Sequence, residues 1–105
     1  MRVALKSADF HILLVLADGP LHGYGIMKEA ETESGGAVRL EIGSLYRILS
    51  RLLEAGLIED ADTDERRHYY RITRLGRRVL RGEAERLAGL VDLMRTRKLL
   101  PGGDA

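Results

Sequence analysis

Hydrophobic residues recur with helical spacing through the first half of the chain. In residues 7–17 they fall at i, i+3, i+4 and i+7, at Phe10, Leu13, Leu14 and Ala17. This spacing predicts a helix at the centre of the core, with Ser7 as its N-terminal cap and Gly19-Pro20 as its end. A second helix is predicted over residues 24–33, after a glycine-containing turn that lets two helices approach closely.

The third predicted helix, over residues 42–55 with Gly56 as its end, is clearly amphipathic. Its apolar positions again follow helical spacing, at Leu45, Ile48, Leu49 and Leu52. The opposite arc carries polar and basic side chains, namely Ser44, Tyr46, Arg47, Ser50, Arg51 and Glu54. Such side chains reach the phosphates and base edges of nucleic acid. Taken alone, however, the same pattern fits an ordinary amphipathic surface helix.

The second half of the chain predicts a β-hairpin followed by a long helix. Residues 57–60 and 68–72 are β-branched and aromatic, and period two places Tyr70 and Ile72 on the core face. Thr73 is then the predicted cap of a last helix that reaches about Lys98. This helix carries a heptad-like seam, at Leu80, Ala84, Leu87, Val91 and Met94.

The order of elements predicts a mainly α fold with a small β-hairpin. Three helices, a hairpin and a helix are the chain order of a winged helix-turn-helix with a long C-terminal dimerisation helix. We therefore expect a winged helix-turn-helix DNA-binding domain at residues 1–73 and a dimerisation helix and tail at residues 74–105, packed as one compact unit.

Composition narrows the class of protein. The chain has 105 residues, of which 45% are hydrophobic and 31% charged, which suits one soluble domain with a real core. Cysteine is absent, which excludes disulfides and thiolate chemistry and fits a reducing cytosol. The N-terminus lacks a signal-peptide pattern, and the longest apolar run, residues 12–17, is too short to span a bilayer. We expect a cytoplasmic protein without a membrane partner.

Charge is unevenly distributed, although the net charge is only +1. Residues 54–65 contain six acidic residues and no lysine or arginine, whereas residues 66–81 contain seven arginines, one histidine and no acid. This segregation predicts a local positive surface on the hairpin and after it. The alternative is a solvated face whose arginines pair with nearby acids.

Metal sites and catalysis are not supported by residue spacing. Asp60, Asp62 and Asp64 fit the first, third and fifth positions of a calcium loop. Its sixth position, however, is Glu65 where glycine is needed, and its twelfth is Arg71 where glutamate is needed. The three histidines lie in different elements without ligand spacing. No paired carboxylates, activated nucleophile or phosphate loop is present, so neither an enzyme nor a cofactor is expected.

Several motifs occur in a fixed order, namely His22-Gly23-Tyr24-Gly25-Ile26, Gly43-Ser44-Leu45-Tyr46, Leu49, Leu52, Glu54-Ala55-Gly56-Leu57-Ile58, Tyr70-Arg71-Ile72-Thr73 and Gly76. In this order and spacing they resemble the PadR family of prokaryotic regulators, over nearly the whole chain. The short tail resembles the subfamily with a single dimerisation helix. The resemblance implies a repressor that binds a roughly palindromic operator as a homodimer and is released by a small-molecule effector, whose identity the sequence does not give.

The arc positions suggest roles for individual side chains toward double-stranded DNA. Ser44 and Tyr46 would donate to phosphates or base edges, with Ser50 as an adaptable neighbour. Arg47 and Arg51 would pair with guanine or phosphate, since a guanidinium can bond bidentately to either. The remaining predicted contacts are to the DNA backbone, from Arg66, Arg67 and His68 at the hairpin tip and Lys28 on the second helix.

The length of the last helix predicts a second copy of the chain. About 25 residues of helix extend ~37 Å, more than one small domain covers. Its seam is therefore expected to pack on a copy of itself, and a twofold dimer would present two recognition helices to two half-sites. The alternative is a seam folded back on the first helix. Two other functions stay open at this point: a winged-helix protein–protein module, and a DNA-binding protein without sequence preference.

Overall fold

The chain forms four helices and three strands in the residues that a computed structural model describes, 5–61 and 66–102. In chain order they are α1 Ser7–Leu16, β1 Leu21–His22, α2 Gly23–Glu33, α3 Ile42–Glu54, β2 Ile58–Asp60, β3 Tyr69–Ile72 and α4 Arg74–Thr96. The predicted mainly α fold with a small β element is confirmed, and each helix lies within two residues of its predicted ends. Asp62, Asp64 and Glu65 of the calcium-loop pattern lie outside the described residues.

One hydrophobic core joins α1, α2, α3 and the sheet. Helix α1 lies at its centre, as its apolar sequence predicts, with Ile12 and Leu13 fully buried. The apolar stripe predicted for α3 is buried against it, as are Tyr70 and Ile72 of β3. Because each buried aliphatic side chain contributes about 1.5–3 kcal/mol, this shared core fixes the orientation of α3 relative to α1.

The sheet has one strand more than the predicted hairpin. Strand β1 pairs antiparallel with β3, with Leu21 opposite Tyr70 and His22 opposite Tyr69. Strand β2 pairs on the other side, so the strand order is β1-β3-β2. The prediction of two strands is wrong because two residues are too few to show period-two alternation. The hairpin is consequently bonded to the segment that connects α1 and α2.

The helix ends agree with the sequence at two predicted positions and disagree at one. The cap predicted for Ser7 is wrong, because Lys6 holds the N-cap position and no side chain caps α1. Gly56 ends α3 as predicted, with a φ of 75° that favours glycine. The cap predicted for Thr73 is confirmed, since its Oγ1 accepts a hydrogen bond from the backbone N–H of Gly76 at 3.0 Å.

Helix α4 is joined tightly to the segment that follows α3. The Thr73 hydroxyl donates to the carbonyl of Gly56 at 2.6 Å, and the Thr73 N–H donates to the carbonyl of Leu57 at 3.0 Å. Gly76 is buried so close to this segment that a Cβ atom there would lie 2.1 Å from the Leu57 carbonyl oxygen. The start of α4 therefore has a direction set by the end of α3.

The first three turns of α4 pack on α1 and on the residues before it. Arg77 Nη2 donates to the carbonyl of Ala17, the C-cap of α1, at 3.1 Å. Glu83 is buried, and its carboxylate accepts the N–H of Leu5 at 3.1 Å and the guanidinium of Arg86 at 2.6 and 3.0 Å. The hydrogen bond that Arg86 donates to Glu83 raises the pKa of the Arg86 guanidinium.

Candidate DNA-binding surface

Helix α3 presents a polar arc because its apolar stripe is used for the core. Leu45 and Leu49 are each 1% exposed, so the opposite side of the helix faces outward. Among the predicted side chains, Ser44 is half-buried and the others are exposed, namely Tyr46, Arg47, Ser50 and Arg51. The structure therefore brings these five predicted residues together on one helix, and their contacts with DNA stay predictions.

Arg47 and Ser44 lie one turn apart on this arc. Arg47 Nη2 is 3.5 Å from Ser44 Oγ, at the outer limit for a hydrogen bond. A contact of this length between exposed groups contributes little and is easily exchanged for another acceptor. Arg47 can therefore turn to a phosphate or a guanine without losing a strong internal bond.

Tyr46 lies at the margin of the arc, against the start of α2. A Cβ atom at Gly23 would be 2.9 Å from the Tyr46 hydroxyl oxygen, so the absence of a side chain at Gly23 is what lets the phenol lie there. The predicted close approach of two helices at this turn is confirmed. Tyr46 is still 49% exposed and keeps a solvent-facing edge.

Arg51 is tied to α1 by an ion pair that the sequence did not predict. Its Nη2 lies 2.7 Å from Asp9 Oδ1 and 2.8 Å from Asp9 Oδ2. Asp9 is buried, at 7% exposure, whereas the Arg51 side chain is 46% exposed. The one available signal was an acidic residue three and four positions before the buried Ile12 and Leu13, which places it on the inward side of α1. The pair engages Nη2 alone, so a DNA contact that keeps it would use Nε or Nη1.

The hairpin of β2 and β3, which we call the wing, carries exposed cations on its described part. Arg66, Arg67 and His68, the three predicted wing residues, are exposed. His68 bonds to Asp60 through Nε2 and stacks on Tyr70, with ring centroids 4.6 Å apart. Behind them Arg71 Nε donates to Glu59 Oε2 at 2.9 Å. For Arg71, the alternative to a positive DNA-binding surface applies, namely a solvated arginine that pairs with a nearby acid.

Lys28 is exposed on α2, whereas the other predicted DNA-binding residues lie on α3 and the wing. Its ammonium lies 5.5 Å from the centre of the Tyr24 ring, within the range of a cation–π contact. Tyr24 is 58% exposed and was not among the predicted residues. Its signal in the sequence was weak, because an aromatic residue at the start of a helix more often belongs to the core.

The seam predicted on α4 divides into two parts. Leu80 packs against the core of its own domain, and with Ala84 it lines a groove of about 230 Å³ between α1 and α4. The rest of the groove is formed by Phe10, Leu14, Arg77 and Arg81. Leu87, Val91 and Met94 are half-buried, and the neighbouring Leu90 and Leu93 are 41% and 48% exposed. The second half of α4 thus carries an apolar stripe that its own chain leaves partly uncovered.

The side chains and helices of residues 5–61 and 66–102 also bear on metal binding and membrane insertion. No group of three or more histidine, cysteine, aspartate or glutamate side chains is placed to hold a metal ion there. No helix in this part of the chain combines the length and apolarity needed to cross a membrane.

Structures of known regulators have the same fold. A transcriptional regulator from Clostridium thermocellum matches with a TM-score of 0.71 and 28% identity, over 84% of this chain and 89% of that one. PadR of Bacillus subtilis, solved in complex with operator DNA, matches with a TM-score of 0.66 and 25% identity, over 73% of this chain and 46% of that one. A PadR family regulator from Clostridium difficile has a TM-score of 0.74 at 23% identity, over 87% and 97% of the two chains, and shows the fold alone.

Sequence comparison points to the same family. A curated relative, an uncharacterized 37.1 kDa protein in transposon Tn4556 of Streptomyces fradiae, is 41% identical over 85 residues, or 81% of this chain. The chain spans only 24% of the length of that relative. The model of the transcriptional regulator PadR-like family matches residues 12–82. The family is one of transcriptional regulators and not of enzymes, in agreement with the expectation of no enzyme. The chain belongs to the PadR-like family of transcriptional regulators.

Proposed function

We propose that the chain is a sequence-specific DNA-binding repressor whose helix α3 enters the major groove. The observation that carries the proposal is the arc of α3, on which Tyr46, Arg47 and Ser50 are exposed. The wing adds the exposed Arg66 and Arg67. A protein–protein module on the same fold would need apolar residues on this arc. The operator-DNA complex of the B. subtilis PadR supports the choice by similarity. A regulator of this kind acts on DNA in the cytoplasm.

We place the contacts as the sequence suggested, with two kinds of role. Arg47 and its neighbours Ser44, Tyr46 and Ser50 face the bases or the nearest phosphates. Lys28 and the exposed wing cations contact the sugar–phosphate backbone on either side, where their role is to position the protein. His68 joins them only if its bond to Asp60 yields to a phosphate.

The functional form is a homodimer built on α4. The half-buried residues Leu87, Val91 and Met94, with the exposed Leu90 and Leu93, form a stripe on the second half of the helix. Covering such a stripe with a second copy removes apolar surface from water. Twofold symmetry would then place two α3 helices on two half-sites about 34 Å apart, which requires a palindromic operator.

Release by a small molecule completes the proposal. The groove between α1 and α4 has an apolar floor formed by Phe10, Leu14 and Leu80, with Arg77 and Arg81 also among its lining residues. A ligand with an apolar body and an anionic group fits this lining. Its binding would change how α4 rests on α1, and through α4 the distance between the two α3 helices.

Selection of bound duplexes from a random pool with the purified protein tests the main proposal. We expect enrichment of one sequence with inverted half-sites, whose binding survives excess bulk DNA at physiological salt. Enrichment without any common sequence would make the protein a DNA binder without operator preference. Recovery of no DNA would contradict the proposed function altogether.

A further inference from the structure

The ion pair between Asp9 and Arg51 connects the buried centre of the domain with the outer arc of α3. The two residues are 42 positions apart in the chain, and both contacts, at 2.7 and 2.8 Å, run through the single nitrogen Nη2. A guanidinium has five N–H donors on three nitrogens. The pair therefore engages one end of the Arg51 side chain and leaves Nε and Nη1 available for a second acceptor.

The position of Arg51 on α3 suggests what that second acceptor is. At 100° per residue, Arg51 lies about 20° from Ser44 around the helix axis, two turns further along. It therefore belongs to the same edge of the arc as Ser44, but near the end of the helix. A residue at such an edge faces the DNA backbone beside the groove, whereas bases are contacted from the start of the recognition helix.

Because Asp9 is buried, its carboxylate restrains the side chain of Arg51. A carboxylate that is 7% exposed has little water to solvate it and depends on Arg51 for its neutralisation. It holds the arginine in one rotamer. The side-chain entropy of Arg51 is therefore already lost in the folded protein and is not lost again when a phosphate is bound. An exposed partner, such as Glu31 with Arg39 at 3.6 Å, imposes no such restriction.

We propose that Asp9 is a positioning residue that holds Arg51 for a contact with a backbone phosphate of the DNA. The proposal rests on the DNA-binding function proposed above. Of the two partners expected for Arg51, guanine or phosphate, it selects the phosphate, so that Arg51 contacts all sequences alike. It also gives α1 a direct role at the DNA surface, although none of its residues were predicted to act there.

The test measures binding of the dimeric protein to a mixed-sequence duplex of about 30 base pairs, three helical turns, over a range of salt concentrations. The variants are Asp9→Asn, Arg51→Gln and their combination. Glu31→Gln is the matched control, since it also turns an acid beside an arginine into an amide. It shows how much the loss of one negative charge alone strengthens DNA binding.

We expect Asp9→Asn to weaken binding about threefold to tenfold, although it removes a negative charge. Arg51→Gln should weaken it about tenfold and lower the slope of log affinity against log salt by about one unit. The combined variant should bind no more weakly than Arg51→Gln, and its gain over Arg51→Gln should not exceed the gain seen in Glu31→Gln, because Asp9 otherwise acts only through Arg51. Equal binding by Asp9→Asn and Glu31→Gln, or an unchanged salt slope in Arg51→Gln, would overturn the proposal.

Arg51→Lys covers the case in which Asp9→Asn does not fold. A lysine keeps Asp9 neutralised, but its compact ammonium lacks the separate Nε and Nη1 donors with which a guanidinium bonded to Asp9 reaches a second acceptor. We expect a thermal midpoint near that of the wild type and a salt slope lowered by about one unit. Wild-type binding by Arg51→Lys would contradict the proposal alone. A wild-type protein that does not bind DNA would contradict the proposed function itself.

Discussion

At the scale of single residues, the candidate site contains two kinds of arginine. Arg47 has only a 3.5 Å contact with Ser44, whereas Arg51 is held by a buried carboxylate. Both are exposed basic residues of one helix and have the same appearance in the sequence. The difference lies in the partner, since Arg51 bonds to the buried Asp9 of α1, whereas Arg47 contacts Ser44 of its own helix.

Arg47→Ala should therefore separate base recognition from backbone contact. We expect a loss of roughly 1–3 kcal/mol on the selected operator and a reduced preference over a scrambled duplex, because a guanidinium that bonds a base discriminates among sequences. Arg95→Ala, near the end of α4, is the control for loss of one positive charge. Equal losses of affinity on operator and scrambled duplex would assign Arg47 to a phosphate instead.

Tyr70 gives the fold a dependence on alkaline pH. Burial, helped by the nearby Tyr46 and Asp60, raises the pKa of Tyr70 above its ordinary value near 10. The folded state thus holds this proton more tightly than the unfolded state. The contribution to stability is complete below about pH 10 and is lost as the pH rises through the folded pKa.

We expect the free energy of unfolding to fall above about pH 10, and to fall less steeply in Tyr70→Phe. Urea unfolding at several pH values measures the difference. Tyr69→Phe, on the other face of β3, is the control and should keep the wild-type dependence. An identical pH profile for Tyr70→Phe and the wild type would exclude Tyr70 as the source.

At the scale of elements, two glycines of α4 differ in how tightly their surroundings are packed. At Gly76 a Cβ atom would be 2.1 Å from the Leu57 carbonyl oxygen and 2.8 Å from Ile72 Cγ1, so the close contact of α4 with the wing needs glycine. At Gly89 a Cβ atom would meet nothing within 4 Å. Gly89 gives no advantage to the isolated chain, and its cost in helix propensity is unopposed.

Gly76→Ala is expected to destabilise the protein by about 3 kcal/mol or more, because the backbone of Leu57 must move. Gly89→Ala, the same substitution in the same helix, should instead stabilise it by about 0.4–1 kcal/mol. Thermal unfolding of both variants measures the contrast. A Gly89→Ala variant that folds well but no longer dimerises would show that two α4 helices touch at this position.

Sequence alone predicts the elements well and their side-chain partners poorly. Helix α3 and the cap at Thr73 follow from local rules, namely the spacing of four leucine and isoleucine residues and one hydroxyl before a helix. Strand β1 and the pair of Asp9 with Arg51 depend on residues 42 to 49 positions apart, whose proximity exists only once the core has formed. No local pattern encodes such a distance.

At the scale of the whole molecule, the proposed dimer depends on the apolar stripe of the second half of α4. Leu90→Asp should convert the proposed dimer into a monomer with an unchanged fold, because a charge would be buried in an apolar interface. Leu75→Asp at the other end of α4 is the control, since Leu75 is exposed to 43% against 41% for Leu90. Sedimentation at micromolar concentration measures the change. A wild-type monomer under these conditions would contradict the dimer.

The contact of Thr73 with Gly56 and Leu57 couples the orientation of α4 to that of α3. Two hydrogen bonds and the close packing of Gly76 attach α4 firmly to the end of α3, so the two helices turn together. A helix of 23 residues is about 35 Å long, and a tilt of about 5° at one end moves the other end by about 3 Å. In the proposed dimer, a small rotation where the two α4 helices meet would therefore be enlarged at the far ends of these helices. It would move both α3 helices out of register with the pitch of DNA.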